Sequence, residues 1–368
     1  MRVKLSDITK YSKGTQINGD SLLNEGKYIY LNGGVNPSGR WNSSNVNENT
    51  VTISEGGNSS GYVNYIEEPF WCGAHCYYLF DGPRNTKYLY YALKSQQERL
   101  FRIRSGACMP NLKKADLGNF VFEYEPNEKN QAEIVSVLSC AEHIIDIKKR
   151  ELELLDDLIK ARFVELFGNP LDGTARYPLH QVGDVAESVD PQPSHRTPPI
   201  DENGVPYVSI KDCDANTGII DFDGARKVSR KVLEEHLNRY TLHEGDFIIG
   251  KIGTIGNPIF VPARNDYTLS ANVVLIQPDN KLVSPYFLKY SFESDFVERQ
   301  FLEAKNSTSQ AAFGIQKVRT VEVMNPDIEV QRKFELFVKQ VDKSKVAVQK
   351  SLDETQILFD SLMQEYFG

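Results

Sequence analysis

The sequence predicts an α+β protein made of two tandem β-rich domains, each followed by one long helix, with the two helices pairing as an antiparallel coiled coil. Three observations carry this. First, the stretch QAEIVSVLSCAEHIIDIKKRELELLDDLIKARFVELFG (131–168) and the stretch QRKFELFVKQVDKSKVAVQKSLDETQILFDSLMQEYFG (331–368) both run 38 residues from Gln to Phe-Gly without a gap. Second, apolar residues recur every seven positions in both, a coiled-coil period. Third, the segments upstream of each helix also correspond, in the same order.

In the first helix the seam is Leu138, Ile145, Leu152, Ile159 and Leu166; in the second it is Val338, Leu352 and Phe359, interrupted by Lys345. Neither helix contains Pro, and the closing Gly suits a helix C-cap. Each is preceded by a short Pro-bearing strand, FVFEYEPNEKNQ (120–131) or VEVMNPDIEVQ (321–331), with Pro126 and Pro326 offset by 200. Further upstream, TKYLYYALKSQQERLFRI (86–103) matches VSPYFLKYSFESDFVERQF (283–301) as an aromatic-rich helix. ISEGGNSSGYVNYI (53–66) matches IIGKIGTIGNPIFV (248–261) as a Gly-rich β-hairpin. The second copy carries an extra helical segment, KVSRKVLEEHLNRYTL (227–242). The expected boundaries are a first domain 1–130, a helix 131–168, a linker 169–176, a second domain 177–330 and a helix 331–368. A duplicated unit explains why the end of the chain is written into its middle.

Composition narrows the function. The 368 residues, 40% hydrophobic, suffice for two ordinary cores. No apolar run approaches a membrane span, and no signal peptide is visible at residues 1–20. Five scattered cysteines argue against a disulfide framework and for a cytoplasmic location. The net charge of −8 is unfavourable for a chain that binds nucleic acid alone. A nucleic-acid function therefore needs local positive surface or a partner that supplies it.

With the repeat in view, the layout resembles the specificity subunit of type I restriction–modification systems over essentially the whole chain. The residues that carry this are the hairpins GDFIIGKIGTIGN (245–257) and SEGGNSSGYV (54–63) and the strand-to-helix joins EPNEKNQAEI (125–134) and NPDIEVQRKF (325–334). Pro-x-x-x-x-Gln leading into a helix recurs in that family. The first copy departs from the pattern, since its hairpin lacks a basic residue. The resemblance implies two target-recognition domains, each reading one half of a split site in double-stranded DNA. It implies no catalysis and no cofactor on this chain. It further implies two methyltransferase subunits docked on the paired helices, which bring S-adenosylmethionine and flip an adenine. Restriction subunits would bring ATP- and Mg-dependent translocation and cleavage.

Candidate DNA contacts follow from local charge. Residues 84–114 hold Arg84, Lys87, Lys94, Arg99, Arg102, Arg104, Lys113 and Lys114 against the single acid Glu98. Arg102, Arg104, Lys113 and Lys114 flank a Gly-containing loop and are favoured for phosphate or groove contact. In the second copy Lys251 stands in the Gly-rich hairpin, where backbone can approach a phosphate closely. Lys211 follows, then Asn306, Ser309, Gln310 and Lys317 of KNSTSQAAFGIQK (305–317). Arg40 and Trp41 in NPSGRWN complete the set. Each has a plain alternative, a solvated face or a packed aromatic.

Three chemical motifs are too incomplete to carry catalysis or a metal. GNPL (168–171) lacks the second Pro and the aromatic of an adenine methyltransferase motif. Pro278-Asp279 with Glu303-Ala304-Lys305 mimics a nuclease motif beside a polar loop. Cys72-Gly-Ala-His75-Cys76 has no second ligand pair at zinc-finger spacing. The competing function is a duplicated coiled-coil scaffold that binds proteins and not DNA.

Overall fold

The computed structural model describes residues 1–106, 108–194, 196–214, 217–251, 256–306 and 314–368, the side chains of residues 305 and 306 excepted. The chain forms two compact units, Met1–Arg150 with Gln349–Gly368, and Glu151–Val348.

The first unit contains three small sheets. Strand β1 (Arg2–Lys4) pairs antiparallel with β9 (Val121–Glu123). Strands β2 (Lys10–Lys13), β8 (Cys76–Phe80), β5 (Thr50–Ser54) and β6 (Val63–Ile66) form an antiparallel sheet in the order β2-β8-β5-β6. Strands β3 (Tyr28–Leu31), β4 (Gly39–Trp41) and β7 (Trp71–Cys72) form a third, ordered β4-β3-β7, with β3 and β7 parallel. Helices α1 (Leu5–Ile8), α2 (Thr86–Lys94), α3 (Gln97–Arg102) and α4 (Lys114–Gly118) precede α5 (Glu128–Phe167). Cys72 and Cys76 are buried in β7 and β8.

The second unit repeats this topology strand for strand. Strand β10 (Leu179–Gln181) pairs with β18 (Glu322–Met324). Strands β11 (Ala186–Val189), β17 (Val273–Pro278), β14 (Phe247–Gly250) and β15 (Gly256–Phe260) run in the order β11-β17-β14-β15. Strands β12 (Val205–Val208), β13 (Lys227–Val228) and β16 (Thr268–Leu269) run β13-β12-β16, with β12 and β16 parallel. Helices α6 (Val182–Val185), α8 (Pro285–Phe292), α9 (Asp295–Asn306) and α10 (Ile315–Arg319) match α1 to α4, and α11 (Ile328–Phe367) matches α5. Helix α7 (Arg230–Leu237) has no counterpart among the described residues of the first unit and is the extra helix expected from the sequence.

Both long helices start three residues before the expected Gln. Pro126 and Pro326 end the extended run, and the residue after each precedes the first helical turn: the Asn127 side chain accepts from Lys129 N at 2.9 Å, and Asp327 O accepts from Val330 N. Gly168, at φ +79°, ends α5; a Cβ there would lie 2.0 Å from Thr174 O.

The long helices are part of each unit's core. In the first unit Leu138 of α5 and Phe367 of α11 share one buried cluster with Tyr88, Leu89 and Phe122, and Phe359 packs against it. In the second, Phe163 and Phe167 of α5 meet Phe334 of α11 at ring separations of 5.5 and 5.6 Å. In both, the early part of one helix meets the late part of the other, so the pairing is antiparallel. Of the seam residues, Leu138, Ile145, Ile159 and Val338 are buried, and Leu152, Leu166, Leu352 and Phe359 are half-buried. Lys345, the break in the seam, spans the helix pair to Asp156 Oδ1 at 2.6 Å.

The strand-to-helix joins explain the repeated Gln. Gln131 and Gln331 are buried at 2% and 0% exposure. Gln331 Nε2 donates to Pro326 O at 2.7 Å, and its Oε1 accepts from Ser284 N at 2.8 Å. Gln131 Nε2 donates to Glu125 O at 2.6 Å and to the Tyr124 hydroxyl at 3.0 Å. Each amide ties the chain that enters the long helix to its own domain.

Candidate nucleic-acid interface

In the first unit the β5–β6 hairpin tip packs on the loop that follows α3. Gly57 N donates to Pro110 O at 3.0 Å, Leu112 N donates to Glu55 O at 2.8 Å, and Gly56 bridges to Asn111. Gly57 and Gly61 have φ of +76° and +83°, which lets the tip turn back on itself. Arg104 holds the assembly: Nε donates to Phe101 O at 2.7 Å, Nη1 donates to Asn58 O at 3.2 Å, and the guanidinium lies 4.6 Å from the Phe101 ring centre. Arg104 is thus a scaffold for the tip more than a free cation. Arg102, Lys113 and Lys114 are exposed around it, Lys114 with its Nζ 5.7 Å from the Tyr11 ring centre.

The basic count over 84–114 divides in two. Lys87 is engaged: its Nζ lies 3.1 Å from Glu67, 3.3 Å from Glu142 and 4.6 Å from the Tyr65 ring centre. Glu142 and Glu67 together raise the Lys87 pKa against the opposing effect of burial, the largest single influence. Lys94 donates to Val63 O at 3.2 Å, and Arg99 to Val121 O at 2.8 Å. Arg84, Arg102, Lys113 and Lys114 are the exposed remainder. Arg40 is half-buried and donates to Gly26 O and, at 3.1 Å, to Lys27 O; Trp41, also half-buried, pairs with Tyr28 across β4–β3.

In the second unit the expectation of an exposed Lys251 is corrected. Lys251 is 4% exposed, and its Nζ lies 2.7 Å from Asp190 Oδ2. It follows β14 directly, at the start of the Gly-rich segment that was expected to approach a phosphate. Instead Lys251 N donates to Asn272 O at 2.8 Å, which turns the side chain inward toward the end of β11. No local signal points to Asp190 as its partner, since 61 positions separate them. Lys211 is exposed beside β12. Lys317 is half-buried and donates to Ala304 O at 3.1 Å. Ser309, Gln310 and the side chain of Asn306 lie outside the described residues.

The first unit has an ion pair in the matching place with the charges exchanged. Glu55, which follows β5, is buried and paired with Lys13 at the end of β2, and His75 Nδ1 stands 3.5 Å from the other Glu55 oxygen. Both hairpins therefore leave their sheet with a withdrawn charge fixed by the neighbouring chain.

Two hairpins on two copies of one topology match a known family. The family model for the type I restriction modification DNA specificity domain matches residues 1–156 and 179–355. The chain belongs to this family. Among curated specificity-domain relatives, the type I specificity subunit S.MgeORF438P of Mycoplasma genitalium, named there on a provisional footing, is 35% identical over 138 residues, 37% of this chain and 36% of that protein. The similarly named S.MpnORF638P of Mycoplasma pneumoniae is 33% identical over 159 residues, 42% of this chain and 40% of that protein. The matches thus span well under half the length of these relatives. A crystal structure of a type I specificity subunit from M. genitalium superposes with a TM-score of 0.63 at 20% identity, covering 100% of this chain and 96% of that one. A chain from a structure of type I system assembly and conformational transition gives a TM-score of 0.51 at 12% identity, covering 99% and 96%. These two share the fold of the specificity-domain chain described here.

Proposed function

We propose that this chain is the non-catalytic DNA-reading subunit of a type I restriction–modification complex, each unit recognising one half of a gapped site in double-stranded DNA. The observation that carries the reading is the match of the specificity-domain family to both repeats, each with its own hairpin fixed at the base by an ion pair that contains a buried charge. Arg102, Lys113 and Lys114 in the first unit and Lys211 in the second contribute phosphate contacts, with Arg40, Trp41, Asn306, Ser309, Gln310 and Lys317 as further contacts. Lys251 and Arg104 act by holding the hairpins.

The paired helices of 40 residues each extend about 60 Å at ~1.5 Å per residue. That length suits half-sites about one helical turn, ~34 Å, apart. Their remaining faces receive two methyltransferase subunits, which carry S-adenosylmethionine, and restriction subunits supply ATP- and Mg-dependent cleavage. The net charge of −8 is accommodated because those partners surround the DNA and supply much of the phosphate contact. The complex works in the cytoplasm; among the described residues no helix is long and apolar enough to cross a membrane.

The test is a base-modification map of the host genome with and without the gene, beside a tagged pull-down. Loss of adenine methylation at one gapped, two-part motif supports the reading. Unchanged methylation while methyltransferase subunits co-purify would overturn it in favour of a protein-binding scaffold.

A further inference from the structure

In the second unit the connection from β11 to β12 differs in sequence from its counterpart in the first, between β2 and β3. Residues 190–199 read DPQPSHRTPP, and four prolines restrict the backbone. Its described residues are tied down at several points. Lys251 holds Asp190 at 2.7 Å, His236 Nε2 lies 2.8 Å from Gln192 Oε1, and Arg226 Nη2 donates to Pro198 O at 2.6 Å. Gln192 Nε2 in turn donates to Arg196 O at 3.2 Å, and Arg239 Nη1 reaches Pro191 O at 3.5 Å. His236 belongs to α7, the helix without a counterpart among the described residues of the first unit, and its other ring nitrogen lies 2.5 Å from Thr268 Oγ1 of β16. The inserted helix therefore hangs a proline-rich strap from the core beside the base of the β14–β15 hairpin.

Arg196 belongs to the strap itself, while Arg226 and Arg239 donate to its backbone at Pro198 and Pro191. Arg196 and Arg239 are exposed, Arg226 is half-buried, and no carboxylate pairs with any of them among the described residues. The Nε of Arg226 is enclosed without an acceptor among the described residues. In the first unit the matching connection reads GTQINGDSLLNEGK (14–27) and contains no arginine. Arginine offers planar donor pairs that match phosphate oxygens. A strap fixed by proline and a buried imidazole loses little further freedom on binding.

We propose that Arg196 and Arg239 form a phosphate clamp on the DNA half-site read by the second unit, a contact the first repeat lacks. The inference rests on the DNA-reading function above. It gives α7 a role, which is to carry the clamp and set it beside the reading hairpin. The clamp contributes affinity and register, and it leaves base preference unchanged.

The test uses the assembled complex and a duplex bearing its own methylated site, with affinity measured across a salt series. R196A/R239A is expected to reduce the slope of log K against log salt by about 1.8, at ~0.9 per phosphate contact, with the methylated motif unchanged. R196K/R239K keeps both charges and is expected to retain most of the slope. An unchanged slope in the alanine variant, with wild-type binding intact, overturns the clamp alone. Equal loss in the alanine and lysine variants also overturns it, since that marks a structural role. Loss of co-purifying methyltransferase from the alanine variant would reassign the patch to a protein contact. Salt-independent or absent binding by the wild-type complex would instead defeat the DNA-reading function itself.

Discussion

Lys251 and Asp190 of the second unit stand 2.7 Å apart with side chains 5% and 14% exposed, and Lys13 and Glu55 of the first unit occupy the same corner with the signs reversed. A withdrawn charge is costly alone and tolerable in a pair. The corner thus keeps the pairing while the sign is free to change. Lys251→Met is expected to lower stability by about 3 kcal/mol, because Asp190 loses its counter-charge and keeps only the hydrogen bond from Gln192 N. Exchanging the two, Lys251→Asp with Asp190→Lys, is expected to recover most of that loss. Urea unfolding of the full chain checks both. A single-site cost under about 1 kcal/mol would mean that solvent screens the pair as it screens surface pairs.

Arg102 and Arg104 stand two residues apart and are expected to fail differently. Arg104 supplies three backbone hydrogen bonds, to Phe101 O, Asn58 O and Ser60 O, and its guanidinium lies against the Phe101 ring. Arg104→Lys retains the charge and loses the fork, so it is expected to cost about 1–2 kcal/mol in stability. Arg102 is exposed. Arg102→Ala is expected to leave the unfolding curve unchanged and to lower the salt slope of DNA binding by about 0.9. The reverse pattern would exchange the roles given to them here.

These residues show what a sequence can and cannot disclose. The duplicated architecture was legible because its signals are local or periodic: the seven-residue spacing from Leu138 to Leu166, the Pro126 and Pro326 offset, the Gly-rich hairpins, the inserted α7. Side-chain pairing was not legible. Counting basic residues over 84–114 cannot reveal that Glu142, a full 55 positions beyond Lys87, closes on it from α5. Lys345 looked like a fault in a hydrophobic seam; Asp156, distant in sequence, makes it a cross-helix ion pair. Lys251 looked exposed because it follows a strand into a Gly-rich loop, and the strand end that buries it comes from elsewhere in the chain.

Gln331 and Gln131 occupy equivalent joins and differ at the amide oxygen. Gln331 uses both ends of its amide, whereas the Oε1 of Gln131 is buried without a partner. Replacing Gln331 by Leu strands Ser284 N and Pro326 O inside the protein. Gln331→Leu is therefore expected to cost about 2–3 kcal/mol, and Gln131→Leu to cost less, about 1 kcal/mol. Equal costs in thermal unfolding would show that the contact with Ser284 adds nothing.

His236 gives the second unit a dependence on pH. Burial pushes its pKa below the ordinary histidine range, Arg239 pushes the same way, and Glu235 opposes. The unfolded chain takes up a proton near pH ~6.5, while the folded chain resists it. Stability from the neutral ring is thus complete above that pH and declines as pH falls toward the folded pKa. His236→Gln is expected to be less stable than wild type at about pH 7.5 and to narrow that gap at about pH 5.5. A gap that stays constant would mean the imidazole does not titrate in this window.

The helix pair offers the most direct test of the proposed ruler. Removal of residues 147–153 from α5 and 348–354 from α11 takes one heptad from each helix. Ile145 and Ile159 then fall seven apart, so the buried seam stays in phase. The pair shortens by about 10 Å, at ~1.5 Å per residue. That is about three base pairs at ~3.4 Å each. The shortened complex is expected to methylate a site with the same two half-sequences and a gap about three base pairs smaller, as a genome-wide modification map would report. Methylation at the original gap by a folded, assembled complex would show that the spacing is set elsewhere, because a stiff pair shortened by that amount cannot present both units to the same two half-sites.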